Sequence, residues 1–193
     1  SRGLGDVYKR QVDDFGKLLD SLDKPLGVQA NFGVIDASGA GAYFETTDHG
    51  YTRYDLADEP AGVLYRTNFS CSGDTCTGFG YIREKNARHL LEPYRAAGEI
   101  SPEVFTEVLS RSFYHSLLDT DMLLADREWI VDQDFIPRHS SSASVVIGRD
   151  GSGVPVMWTV VGYPPCSVML PVTVDSIPVS YTHLRAHETC ADL

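Results

Sequence analysis

An α+β fold is what this 193-residue sequence predicts, and three features carry the prediction. Apolar runs rich in aromatic and β-branched residues flank tight, Gly-containing reversals near residues 32–44 and again near 144–161, the pattern of β-hairpins. Between them, residues 85–118 space their apolar positions as helices do. The length suits a single domain, and a hydrophobic content of 42% is enough to build a core.

Taken in order, residues 12–22 place Val12, Phe15, Leu18, Leu19 and Leu22 on one helix face. Gly16 weakens that helix and Lys24-Pro25 ends it. Strands follow at 32–35 and 40–44, joined by Asp36-Ala37-Ser38-Gly39, where glycine supplies a positive φ. Both strands are apolar at nearly every position, which predicts burial on both faces. Asp48-His49-Gly50 breaks the chain, with His49 a solvated loop residue, and 51–55 adds an outer strand alternating aromatic with polar. A further buried strand is expected at 62–65, running straight into Arg66-Thr67-Asn68. A polar triplet at a strand end either presents catalytic groups or caps a turn, and both readings stand. Residues 70–80, rich in Gly, Ser and Thr, read as loop.

The helical middle begins with residues 85–97, where Pro93 kinks or splits the helix. Ser101-Pro102, suited to N-cap and N1, starts a second helix running to about Leu118. Its buried face holds Val104, Phe105, Val108, Leu109, Ser112, Phe113 and Ser116. Residues 119–139 are acidic and irregular, anchored by Trp129-Ile130-Val131 and Phe135-Ile136, and a segment that long without regular structure is often functional. Strands at 144–147 and 156–161 around Asp150-Gly151-Ser152-Gly153 form the second hairpin, and 167–174 is a last strand. Phe32, Val34, Val145 and Trp158 are expected in or between the sheets.

A net charge of -11 without clustered Lys and Arg argues against a nucleic-acid partner. No apolar run reaches the ~18 residues of a membrane span. No Gly-rich phosphate loop follows a strand and no Gly-x-Ser-x-Gly elbow occurs, so no cofactor is expected. Cys71 and Cys76, with Ser-Gly-Asp-Thr between them, suit a local disulfide or two thiols better than half a zinc site lacking its second pair. The disulfide would lean towards a periplasmic or secreted protein. No metal is expected: Asp132 and Asp134 read as solvated carboxylates. Cys166, after two prolines and with no His near it in sequence, reads as a small buried hydrophobe rather than a nucleophile. Arg83 and Arg88 lie near a helix start, where a cation opposes the dipole. Either one of them is held there for a partner carboxylate, or it is a surface residue.

Both ends look foreign to the rest. Residues 1–11 (SRGLGDVYKRQ) and 178–189 (PVSYTHLRAHET) resemble translated sequencing-adapter or assembly sequence of the kind joined to metagenomic fragments. The domain itself is therefore expected over 12–177, with 178–193 set aside, including His183, His187 and Cys190 as ligands.

Asn31-Phe32-Gly33-Val34-Ile35-Asp36-Ala37, Ala42-Tyr43-Phe44-Glu45 and Arg66-Thr67-Asn68-Phe69-Ser70 together resemble the N-terminal-nucleophile (Ntn) amide hydrolases. The similarity is greatest to the group of choloylglycine hydrolases and acyl-CoA:6-aminopenicillanate acyltransferases, also described as linear amide C–N or carcinine hydrolases. Ser142-Ala143-Ser144-Val145-Val146 and Trp158 with Gly162-Tyr163-Pro164-Pro165-Cys166-Ser167 resemble bacterial members, and the likeness covers about 12–174. It implies a four-layer αββα fold of two stacked sheets covered by helices. It also implies a mechanism in which an N-terminal Cys attacks an amide carbonyl, its own α-amino group acting as base. The acyl-enzyme is then hydrolysed or its acyl group passed to an amine.

The departure from the family concerns the nucleophile. The family cysteine stands well upstream of the first hairpin, and no cysteine precedes Val28 here. The resemblance therefore implies an incomplete Ntn fold with its N-terminal part, nucleophile included, outside this chain, and inert by itself. Two positions carry over. Asn68 matches the family Asn that helps hold the oxyanion, and Arg88, in Asn-Ala-Arg-His-Leu-Leu, matches the Arg near the nucleophile, with Arg83 its rival. The expected partner is a small-molecule amide, and homo-oligomerisation stays open. A non-catalytic αββα-like binding or structural domain, and an unrelated α+β module, are the alternatives.

Overall fold

The computed structural model describes residues 11–73, 79–125 and 131–173. The chain divides into two compact units, Ser1–Tyr81 and Ile82–Leu193. Helices and sheets are both present, so the chain is of the mixed α+β class. Residues 1–10 and 174–193 lie outside the description, and with them most of the segments read as foreign. Cys76, Trp129 and Ile130 are outside it as well.

The first unit opens with α1 (Val12–Ser21), which buries Val12, Gly16 and Leu19. Leu18 and Leu22, expected on that face, are exposed. Gly16 explains the shift: a Cβ there would meet Tyr51 Oη at 3.2 Å. The residue that weakens the helix locally is the one that lets it approach the sheet. Strands β1 (Asn31–Ile35), β2 (Gly41–Thr46) and β3 (Tyr51–Asp55) form an antiparallel sheet in that order. Pairings of Phe32 with Phe44 and of Val34 with Ala42 set one face of the sheet. There Val12, Leu19, Ala42 and Phe44 form the core, with Phe15, Val34 and Tyr51 against them. Phe15 meets Phe44 edge-on at 5.0 Å. The expected turn is present: Gly39 takes φ +89, and Asp36 Oδ2 accepts the Val12 N–H at 3.1 Å, joining turn and helix start. Arg53 adds ion pairs to Asp13 and Asp55, each at 2.6 Å.

Two expectations need correction here. Burial on both faces holds for β2 but fails for β1, where Phe32 is 37% and Ile35 61% exposed. β2 has a strand on each side, whereas β1 is an edge. Residues 62–65 form no strand among the described residues. Gly62 turns the chain at φ +66, its N–H bonding Glu59 O at 2.9 Å, and the chain runs on without a ladder.

Helix α2 (Tyr81–Ala97), all but its first residue in the second unit, starts four residues before its expected beginning at Lys85 and continues through Pro93. It ends at Gly98, φ +70, with the Glu99 N–H reaching back to Tyr94 O at 2.8 Å, a left-handed C-terminal cap. The next helix does not run to Leu118. It is a π-helix, Val104–Leu109, stopped by side chains. The Ser110 N–H and hydroxyl both bond Phe105 O, at 3.0 and 2.8 Å. Arg111 Nε bonds Thr106 O at 3.3 Å while its Nη2 bonds Ser167 O at 3.0 Å. With those carbonyls satisfied, the chain leaves into a small ladder of β4 (Tyr114–His115) and β5 (Thr120–Asp121). Asn86, fully buried on α2, accepts the Ser116 N–H and donates to Asp134 O, both at 2.8 Å. It pins the turn after β4 and the acidic segment to the helix.

The second hairpin is as expected, β6 (Ala143–Arg149) with β7 (Pro155–Val161), and β8 (Leu170–Val172) completes the sheet. Asp150 Oδ1 accepts the Ser152 and Val154 N–H groups at 2.9 Å each, closing the turn. Val156 and Val160 point into the core. Val145, Ile147, Met157 and Val161 point out. All four of the residues expected in the sheets lie on strands, but Phe32 and Val145 are exposed and Val34 and Trp158 only half-buried. Cys166 is exposed, not buried as its setting suggested. In the turn Pro164–Cys166 it is Pro164 that faces inward.

Candidate functional site

The face of the first sheet opposite α1 is the polar one. It carries Asn31 and Gly33 from β1, Tyr43 and Glu45 from β2, and Tyr54 from β3. Register alone places them together: Asn31 pairs with Glu45, Gly33 with Tyr43, and Tyr43 with Tyr54. Gly33 has a structural reason to be glycine, since a Cβ there would come within 3.0 Å of Tyr43 Cε1.

The irregular segment after Tyr65 is fastened to this face by side chains. Asn31 Nδ2 donates to the carbonyls of Thr67, at 3.1 Å, and Phe69, at 3.3 Å. These two carbonyls flank Asn68, whose side chain is exposed. The Thr67 hydroxyl donates to Gly80 O at 2.9 Å. Glu45, only 4% exposed, accepts from the Cys71 N–H at 3.0 Å, from the Ser72 N–H at 3.2 Å and hydroxyl at 2.9 Å, and from the Ser70 hydroxyl. Burial pushes the Glu45 carboxyl up, but the hydroxyl and amide donors of Ser70, Ser72 and Cys71 outweigh it and hold it below its ordinary value. A buried carboxylate is tolerable only when so satisfied.

Arg66 stands at the head of the segment. Its Cζ lies 4.2 Å from the Tyr54 ring centre and 5.5 Å from that of Tyr43. Its Nη1 donates to its neighbour's carbonyl, Tyr65 O, at 2.7 Å. Its Nε is buried and has no acceptor among the described residues.

Of the two carried-over residues, Asn68 belongs to the first unit and Arg88 to the second. Asn68 lies in an irregular stretch rather than at the end of a strand. Arg88 is exposed and pairs with Glu84 one helical turn earlier, at 2.8 Å. That is an ordinary i,i+4 contact on a helix surface. Arg83 is the more buried of the two. Burial and the neighbouring Arg138 push its guanidinium below the usual value, against the pull of Asp134. Asp132 bonds the backbone N–H of His139 and its ring Nδ1, the latter at 2.8 Å, so it is not simply solvated. Among the described residues no three His, Cys, Asp or Glu side chains converge as a metal site would require. No helix among them is long and apolar enough to cross a membrane.

Sequence reasoning gave no role to Asn31, Glu45 or the Tyr43–Tyr54 pair. Glu45 had one visible signal, an acidic residue near the end of an otherwise apolar strand. Its partners lie 25 to 27 residues away, too far for spacing to reveal. Compared with models of known families, with characterised proteins and with solved structures, the chain matches none.

Proposed function

We propose that this chain is part of a cysteine Ntn hydrolase that cleaves a linear C–N amide bond, or transfers its acyl group, through an acyl-enzyme. The nucleophile in this reading is a cysteine outside the 193 residues. The observation that carries the proposal is the mounting of Asn68: its two flanking carbonyls are tied to Asn31 while its own side chain stays exposed. An oxyanion donor needs a backbone held in place and a residue that substrate can reach. The motif resemblance supplies the reaction. The same reading implies the four-layer αββα architecture for the complete domain. Arg88, or Arg83 in its place, would act near the nucleophile.

The experiment is to join the chain to its upstream coding sequence and assay release of amine from N-acyl amides. Activity should depend on an upstream cysteine. Asn68→Ala should lower kcat by about 10²-fold or more with folding intact. An active parent indifferent to Asn68→Ala removes Asn68 from the site. A parent without such a cysteine, and without activity, favours a binding or structural domain instead.

A further inference from the structure

We propose that Arg66, lying over Tyr43 and Tyr54, is a recognition point for the carboxylate of a small organic monoanion. The first reason is the company this arginine lacks. The chain has 27 acidic residues against 16 Lys and Arg, and Arg53, Arg88, Arg95 and Arg111 each pair with a carboxylate. Arg66, half-buried, pairs with none among the described residues, although acidic side chains outnumber basic ones. Its positive charge rests instead on two aromatic faces, which favour a cation without neutralising it.

The second reason is its unused donors. A guanidinium carries five N–H groups in one plane. Here one nitrogen serves Tyr65 O, and the buried Nε has no acceptor among the described residues. A half-buried guanidinium that no carboxylate among the described residues neutralises suits a planar two-oxygen anion, because its coplanar N–H groups can meet both oxygens at once.

The third reason is that the charge is single. No other Lys or Arg occurs between Arg53 and Arg83, and Arg53 is engaged by Asp13 and Asp55. One cation matches the single charge of a monocarboxylate, which its fork can hold through both oxygens. The Tyr43 and Tyr54 rings offer the organic part of the molecule an apolar wall. Arg66 lies two residues from Asn68, a chain distance of at most about 7 Å. On the amide-hydrolase reading, and resting on it, the bound group is then a carboxylate carried by the substrate itself or by its acyl product.

The test is a titration of the ¹⁵N-labelled full chain with sodium benzoate at constant ionic strength, followed at the arginine Nε–H resonances. The Arg66 resonance should move and saturate. That of Arg53, locked between Asp13 and Asp55, should stay fixed and report that the fold is retained. Arg66→Gln should abolish saturable binding measured by calorimetry. Arg66→Lys, which keeps the charge but loses the fork, should weaken it by about tenfold or more. A linear, non-saturating shift, an equal midpoint with sodium sulfate, or undiminished benzoate binding in Arg66→Gln with the Arg53 resonance in place would overturn the proposal. The titration needs no catalysis. Saturation in a chain whose parent cleaves no amide leaves the carboxylate site standing without the amide reading, and an active parent without saturation does the reverse.

Discussion

Glu45→Gln isolates the charge that holds the Asn68 segment to its sheet. The substitution keeps size and shape and leaves an oxygen where Oε1 receives the Ser70 and Ser72 hydroxyls. It puts an NH₂ group where Oε2 receives the Cys71 N–H at 3.0 Å, so donor faces donor. A hydrogen bond to a charged group contributes about 1.5–3 kcal/mol, and a buried donor left unpaired costs about 1–3 kcal/mol. With Glu45 only 4% exposed, water compensates little, and the expected loss is roughly 2–4 kcal/mol in urea unfolding at neutral pH. The pH dependence has a definite sign. The folded carboxyl titrates below its ordinary value, so its charge-linked stability is complete above the ordinary range, about 4.3 for a glutamate. That stability is lost as pH falls through the lowered folded value. Wild type and Glu45→Gln should therefore differ most near neutrality and converge in acid once pH has fallen through the lowered folded value, where the protonated Glu resembles Gln. A variant within about 0.5 kcal/mol of wild type at neutral pH would refute the argument. So would a gap that persists undiminished in acid, since it would assign the loss to shape rather than charge.

Asn86→Ala should destabilise the second unit by about 2–4 kcal/mol, because it strands the part-buried Ser116 N–H and Asp134 carbonyl. Hydrogen exchange should show the Ser116 amide losing its protection. Phe44→Ala, at a side chain fully buried between α1 and the sheet, should cost about 3–5 kcal/mol, read from the denaturation midpoint, with the far-UV signature of the remaining folded protein unchanged.

The sequence by itself determined both hairpins, their turns, and the presence of α1 and α2. These rest on interactions within about ten residues: the left-handed conformation at Gly39, the side-chain closure by Asp150, and the periodicity of apolar positions. It also singled out Arg66-Thr67-Asn68 as a polar triplet.

Tertiary structure alone decided what lies beyond that range. Whether an apolar strand is buried depends on what covers it: β2, flanked on both sides, is buried, whereas Phe32 on the edge strand and Val145 on the outward row are not. Apolar spacing could not foresee that Ser110 and Arg111 would end a helix after Leu109, because Arg111 also bonds Ser167 O, 56 residues on. Nor could it place Asn31 and Glu45 beneath Asn68. The segment after Tyr65 has no ladder of its own, so its conformation is set by carbonyls and amides that find partners on strands 25 to 38 residues earlier. Local propensity is silent there, and long-range hydrogen bonding fixes the chain.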